Sequence, residues 1–333
     1  CSQSRGLGDV YKRQDQANVT SELLFDLNSG LPMDRLICGD VGFGKTEVAL
    51  RGAFNVAMSG AQVAFIVPTT LLCSQHYENF TKRFKNFPLK VDQISRLNST
   101  SENNKIIERI NSGESDVVVG THALLNSKIK FKKLGMLIID EEQHFGVSQK
   151  EKIKSLRSNV HVLALTATPI PRTLQMSLVG LRDLSIISTA PLNRQNINTE
   201  VIDFNDEKII SAIEYELSRN GQVYYVCPRI NELKEVEDFL KSKLPNVKYQ
   251  IAHGQMPSKN LKNTMIDFYN NEFQLLLCTT IVESGLDLQK TNTMIIHNSD
   301  KFGLSQLYQL RGRIGRSNIC LLYTSPSPRD WLQ

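Results

Sequence analysis

Leu36-Ile-Cys-Gly-Asp-Val-Gly-Phe-Gly-Lys-Thr-Glu47 decides the reading of this chain. Three apolar residues, Leu36–Cys38, read as a buried strand. Gly39 to Thr46 then fits G-x-x-x-x-G-K-[ST], and Glu47–Met58 reads as a helix. The pattern needs this strand–loop–helix context to mean a phosphate loop. Its glycines let backbone N–H groups converge on phosphates, and the helix N-terminus adds a favourable dipole. The nucleotide-binding residues predicted here are Gly39, Asp40, Val41, Gly42, Phe43, Gly44, Lys45 and Thr46. Lys45 suits the β- and γ-phosphates of ATP, and the Thr46 hydroxyl suits Mg²⁺.

Downstream, Leu137-Ile-Ile-Asp-Glu-Glu-Gln143 is an apolar run ending in acids. Asp140 suits water-mediated contact with Mg²⁺. Glu141 suits polarisation of the water that attacks the γ-phosphate, because hydrolysis needs a base there. Near the far end, Gln309-Leu-Arg-Gly-Arg-Ile-Gly-Arg316 clusters three arginines. Such a cluster can be a solvated face or a phosphate patch, but Gly312 and Gly315 weaken a helix and imply a steric reason. Arg313 and Arg316 are the predicted arginine fingers, reaching a nucleotide across an interlobe cleft; such groups contribute about 10³–10⁵ in rate.

The remaining pattern is α/β. Apolar β-rich runs occur at Leu36–Cys38, Val63–Val67, Asp116–Val119, Met136–Ile139 and Val162–Thr166. A second set lies at Gln222–Cys227, Tyr249–Ala252, Gln274–Cys278 and Thr293–His297. Near-continuous apolar strands separated by amphipathic stretches such as Ile209–Leu217 and Leu233–Lys243 predict parallel sheets covered on both faces by helices. Polar Ser188–Asn198, which contains Pro191, separates the sets. The predicted domains are a first lobe over 15–190, a linker over 191–198 and a second lobe over 199–319. Residues 1–14 and 320–333 do not continue the pattern, and Tyr-Thr-Ser-Pro-Ser-Pro-Arg-Asp resembles translated adapter sequence. Both ends are expected to pack little against the lobes.

Bulk properties set bounds rather than a function. In 333 residues, 41% are hydrophobic and 22% charged, an ordinary core-forming composition. The formal net charge of +5 is compatible with phosphate binding but does not demand it. Six cysteines form no Cys-x-x-Cys pair, so a zinc site is not expected, and Cys38, Cys227 and Cys278 end apolar runs, which suits a reducing cytoplasm. No apolar run reaches the roughly 20 residues needed to span a bilayer.

Taken in order, the motifs resemble those of superfamily 2 helicases. Val67–Thr70 looks like motif Ia, Val119–His122 like Ib, Asp140–Gln143 like II, Thr166–Pro169 like III, Cys278–Asp287 like V and Gln309–Arg316 like VI. The resemblance covers about Asp15 to Asn318 and implies two tandem RecA-like P-loop NTPase lobes. It implies that Gln16 reads adenine, that Gln143 and Gln309 sense the γ-phosphate, and that Gly285 and Asp287 touch the nucleotide. It further implies backbone contacts to double-stranded DNA from Thr69, Thr70, Thr121, His122, His253, Gln255, Thr279 and Thr280, a role that hydroxyls and amides at strand ends can fill without reading bases. For His122 and His253 a satisfied structural histidine is the competing reading. Thr166 and Thr168 could equally position their neighbouring strands.

Within the superfamily, Met33–Glu47, Leu181–Ile187 and Cys278–Gly285 are similar to the transcription-repair coupling factors. Phe43 and Glu47 separate the chain from the fork-remodelling RecG helicases, which usually have a small residue and no acid at those places. His144 departs from the family, which usually has Arg there. The resemblance implies an ATP-dependent duplex DNA translocase motor. It places RNA polymerase and excision-repair partners on domains with no counterpart in these residues, as is the hairpin that follows Arg316. ATP hydrolysis by this chain alone is therefore expected to be weak and poorly stimulated by DNA, without displacement of a DNA-bound triplex strand. Two rival readings are a RecG-type helicase and an ATP-gated DNA-binding module without turnover.

Overall fold

The computed structural model describes residues 14–324 apart from 96–97, 143–144, 146–148, 150–152, 154–158, 168–181, 190–196, 281–290 and 315–318. It separates into two compact units, Cys1–Pro191 and Leu192–Gln333.

The first unit is built on seven parallel strands. They are β1 (Asp34–Gly39), β2 (Gln62–Ile66), β3 (Val91–Ile94), β4 (Val117–Gly120), β5 (Leu134–Asp140), β6 (His161–Thr166) and β7 (Asp183–Ile187). Their order is β3-β4-β2-β5-β6-β1-β7. Successive residues of β2 serve opposite cores, as a pleated strand requires. Val63 and Phe65 join the apolar residues of helices α1 (Gln14–Leu27), α2 (Lys45–Met58) and α3 (Thr70–Phe84). Ala64 and Ile66 join Ile106 and Ile110 of α4 (Thr100–Ser112), together with Phe145 and Ile153. Both faces are covered, which explains why the central strands are apolar throughout. Helix α4 opens on a capping box in which Ser99 and Glu102 satisfy each other's backbone N–H.

The second unit repeats the plan. Its strands are β8 (Ile197–Ile202), β9 (Gln222–Val226), β10 (Tyr249–Ala252), β11 (Leu275–Cys278), β12 (Thr291–Ile296) and β13 (Ile319–Thr324). They form a parallel sheet in the order β10-β11-β9-β12-β13-β8. Val223, Tyr225, Leu275, Leu277 and Ile295 pack with residues of α5 (Asp206–Ser218) and α6 (Ile230–Lys243). On the other face the Tyr224 ring meets Phe268 of α7 (Ser258–Tyr269) at 5.4 Å. Helix α8 (Leu304–Arg311) completes the described elements.

Two expectations change here. Ile197 and Asn198 are not linker: they open β8, whose residues are largely exposed and which reads as polar because it lies at a sheet edge. Residues 320–324 do not stay outside the fold. Ile319–Thr324 pairs with β12 on one side and β8 on the other. Ile-Cys-Leu-Leu-Tyr-Thr is rich in β-forming residues, and a parallel sheet accepts such a run through backbone bonds whatever its origin. Residues 1–13 and 325–333 lie outside the described residues.

Among the described residues no helix is long and apolar enough to cross a membrane. Cys38, Cys73, Cys227 and Cys278 are free and buried, and burial pushes the Cys38 thiol up to about 11 and Cys73 to about 12.

Candidate nucleotide and magnesium site

The phosphate loop follows β1 as the spacing predicts. Gly42 and Gly44 have φ of 80° and 83°, the left-handed region that glycine enters without strain. Gly44 is also the N-cap of α2, so the loop turns directly into the helix. Gly39 is needed for a different reason: a Cβ there would lie 3.1 Å from the Ile187 carbonyl oxygen and 3.2 Å from its Cβ. The buried Lys45 folds inward, and its Nζ donates to the carbonyls of Gly39 (2.6 Å) and Asp40 (3.0 Å). A cation therefore sits against the loop that joins β1 to α2. The Asp40 carboxylate accepts from the Val41 N–H at 2.7 Å. Phe43 sends its ring into the core, so only its backbone is available to a nucleotide.

Gln16 reaches the same loop from α1, donating from Nε2 to the Phe43 carbonyl at 2.9 Å. Helix α1 is held there by a polar cluster. Buried Arg35 of β1 pairs with Glu22 (3.0 Å) and Asp26 (2.5 Å) and donates to the Ser185 hydroxyl. At the helix start, Asp15 accepts from the Ser188 and Thr189 N–H groups and the Ser188 hydroxyl, and these bonds lower its pKa.

The acidic strand end lies on the same edge of the sheet. In register, Cys38 of β1 stands beside Thr166 of β6, and Leu165 of β6 stands beside Asp140 of β5. Only one strand separates the two, so with a neighbour spacing near 4.8 Å, Asp140 lies about 10 Å from the base of the phosphate loop. Glu141 has φ of +54°, a conformation costing a non-glycine residue about 1–2 kcal/mol. Such strain is retained where the surroundings enforce it, often at functional positions. Here the Glu141 N–H donates to the Leu165 carbonyl at 2.9 Å, and its Oε2 accepts from the Ala167 N–H at 3.4 Å. The donor set, a threonine hydroxyl and a carboxylate, fits Mg²⁺, a hard cation that takes few protein oxygens beside phosphate and water.

Two residues of this site escaped the sequence reading. His76 of α3 is buried, with Nε2 3.5 Å from the Asp140 Oδ2. Arg182, only 11% exposed at its side chain, pairs with Glu142 at 2.8 Å and Asp34 at 2.7 Å, tying the acidic segment to the start of β1. Arg182 falls in the stretch Leu181–Ile187, whose resemblance to a family was the one available signal. Glu47 likewise gains a structural role: it pairs with Arg51 at 3.0 Å and with Arg83 of α3, joining the phosphate-loop helix to its neighbour.

The predicted DNA-contact residues also sit at strand ends. Thr69 caps α3, its hydroxyl accepting from Leu72, and Thr70 is the first residue of that helix. Thr121 is buried after β4, whereas His122 is exposed and opens the short helical turn that follows. In the second unit His253 is half-buried, with no bond to Nδ1 among the described residues, and Gln255 is exposed. Buried Thr279 donates its N–H to the Ala252 carbonyl, and half-buried Thr280 follows it. Buried Gln309 lies on α8. The Arg313 N–H bonds to the Leu310 carbonyl at 2.9 Å. Gly312 has φ of −67°, so no left-handed backbone accounts for glycine there. Gln143, His144, Thr168, Gly285, Asp287, Gly315 and Arg316 lie outside the described residues.

Comparison with known proteins agrees with the two-unit α/β fold. Residues 13–177 match the model of the DEAD/DEAH box helicase family, and residues 206–318 match the helicase conserved C-terminal domain. The chain is 52% identical over 310 residues to a transcription-repair-coupling factor of Rickettsia bellii (strain RML369-C), spanning 92% of this chain and 28% of that protein. It is 51% identical over 304 residues to that of Staphylococcus aureus (strain USA300), spanning 91% and 26%. The chain thus covers about a quarter of the length of these relatives. Among solved structures, RecG bound to a three-way DNA junction aligns with a TM-score of 0.78 at 32% identity, covering 96% of this chain and 43% of that one. Dbp5 of S. cerevisiae, bound to RNA and ADP BeF3, aligns at 0.70 with 14% identity over 93% and 83%, a likeness of fold alone.

Proposed function

Because the chain belongs to the superfamily 2 helicases, as a motor segment similar to that of the transcription-repair-coupling factors, we propose that it is the ATP-hydrolysing motor of a non-sequence-specific translocase on double-stranded DNA. The observation that carries the hydrolytic half is the shared sheet edge of Lys45, Asp140 and the strained Glu141. Lys45 and the loop amides hold the β- and γ-phosphates. Thr46 and Asp140 would hold Mg²⁺, which would supply charge neutralisation to the phosphates. Glu141 takes the proton of the attacking water, and Gln143 and Gln309 register the γ-phosphate. Gln16 reads the adenine, while Gly285 and Asp287 touch the nucleotide. Arg313 and Arg316 stabilise charge that develops on the transferring phosphoryl group.

DNA contacts are assigned to Thr69, Thr70, Thr121, His122, His253, Gln255, Thr279 and Thr280. These groups bond phosphates and carry no base readout. In the full-length parent, movement on DNA pushes a stalled RNA polymerase and promotes excision repair. The 52% identity to coupling factors, against 32% to RecG, favours this reading over fork remodelling. The test is competition between two unrelated duplexes in a binding assay, with phosphate release measured in parallel. Equal competition, affinity falling with salt, and turnover that requires Lys45 and Glu141 are the results expected. One duplex out-competing the other, or binding without any turnover, overturns the proposal.

A further inference from the structure

His76 is a buried, polar side chain that the hydrolytic roles above leave without a task. It sits on α3 with its ring against Phe65, centroids 4.7 Å apart, and Phe65 packs in turn on Phe80 at 5.3 Å. The ring thus rests against Phe65, and one nitrogen lies near the acid assigned to Mg²⁺. Nε2 lies 3.5 Å from the Asp140 Oδ2, whereas buried Nδ1 has no hydrogen-bond partner among the described residues. The two neutral tautomers are not equivalent in this setting. A proton on Nδ1 leaves a buried N–H unsatisfied and sets a lone pair against a carboxylate. A proton on Nε2 gives Asp140 a donor and leaves only an acceptor unfilled, the cheaper deficit.

We infer that His76 is a positioning residue: its Nε2–H occupies the Oδ2 of Asp140 and turns Oδ1 toward the magnesium position. This rests on the assignment of Asp140 to Mg²⁺ made above. Side chains that orient metal ligands in this way are worth about 10- to 100-fold in metal affinity. His76→Phe keeps a ring against Phe65 and removes the donor, whereas His76→Gln can place an amide N–H near the same point.

The experiment is fluorescent-ATP binding to this chain titrated with Mg²⁺, and repeated in EDTA. For His76→Phe we expect the half-saturating Mg²⁺ concentration to rise about tenfold or more, with affinity in EDTA unchanged and His76→Gln recovering most of the loss. Unaltered Mg²⁺ dependence in His76→Phe overturns the inference, as does an equal loss of binding with and without Mg²⁺. A wild-type chain whose nucleotide binding ignores Mg²⁺ instead defeats the assignment of Asp140, and so separates the two failures. Should His76→Phe not fold, the wild-type chain still decides. The ¹⁵N spectrum of its histidines, with His76 identified by loss in His76→Gln, must show the Nε2–H tautomer, and an Nδ1–H tautomer overturns the inference.

Discussion

Gly221→Ala in the C-terminal lobe tests how tightly a buried charge is held. Gly221 needs no left-handed backbone; that is supplied by Asn220, with φ of 58°. Its restriction is spatial. A Cβ at 221 would stand 1.6 Å from the Glu216 Oε1 and 2.5 Å from its Cδ. The obstacle is the end of a side chain, but that end cannot swing away freely. Glu216 is fully buried and accepts from the Thr293 hydroxyl at 2.7 Å, from Asn292 Nδ2 at 3.2 Å and from Arg219 Nε at 3.0 Å. Displacing it breaks a buried charge–hydrogen-bond set, which costs about 3–5 kcal/mol. We take about 3 kcal/mol, because Arg219 is partly exposed and can follow, and expect a fall in the lobe's Tm of roughly 10 °C. The assay is urea and thermal unfolding of the wild type, Gly221→Ala, Glu216→Ala and the double variant. In the Glu216→Ala background the clash is gone, so the added methyl should be neutral or stabilise by about 0.5 kcal/mol through the unfolded chain. A Gly221→Ala protein as stable as wild type, or the same loss in both backgrounds, refutes the reasoning.

Other outcomes follow from the site and its supports. Arg313→Ala should slow hydrolysis by about 10³-fold or more while nucleotide affinity, read by fluorescence, stays within a few-fold. Arg182→Ala should free the acidic segment from β1, lowering turnover and, because Glu142 and Asp34 lose their cation, also the Tm. A pH dependence should come from His161 and His297, whose pKa values burial holds below the ordinary 6.5. Each resists protonation in the folded state more than in the unfolded chain, and the Met33 N–H donates to His161 Nδ1 at 3.1 Å. The unfolded chain therefore binds more protons below about pH 6.5, so stability should fall as pH drops through that value. Asn at 161 keeps an acceptor near Nδ1 without titrating, so His161→Asn should show a shallower fall in Tm between pH 7 and 5.5.

The strands fully buried on both faces were legible because burial on both sides leaves no choice but apolar side chains. Val63–Val67, Met136–Ile139 and Gln222–Cys227 all announce themselves in this way. Strands β3, β7 and β8 did not. Val91–Ile94 is short and half polar, Asp183–Ile187 exposes Ile186 at a sheet edge, and Ile197–Ile202 is exposed along most of its length. The phosphate loop was legible because its chemistry fixes residue types at fixed spacing. His76 and Arg182 were not, since each meets its acid across the fold: 64 residues separate His76 from Asp140, and 40 separate Arg182 from Glu142. The strain at Glu141 was invisible for the opposite reason. It is a property of one backbone dihedral, and no residue type announces it.

The central claim is that Lys45, Asp140 and Glu141 form one hydrolytic site. Steady-state phosphate release with Mg²⁺-ATP, run beside fluorescent-nucleotide binding on the wild type, Lys45→Ala and Glu141→Gln, tests it most directly. Turnover should be present in the wild type and nearly absent from both variants, with Glu141→Gln still binding ATP about as well as wild type and Lys45→Ala binding it weakly. Wild-type turnover persisting in Glu141→Gln, or no Mg²⁺-dependent turnover in the wild type, would contradict the account.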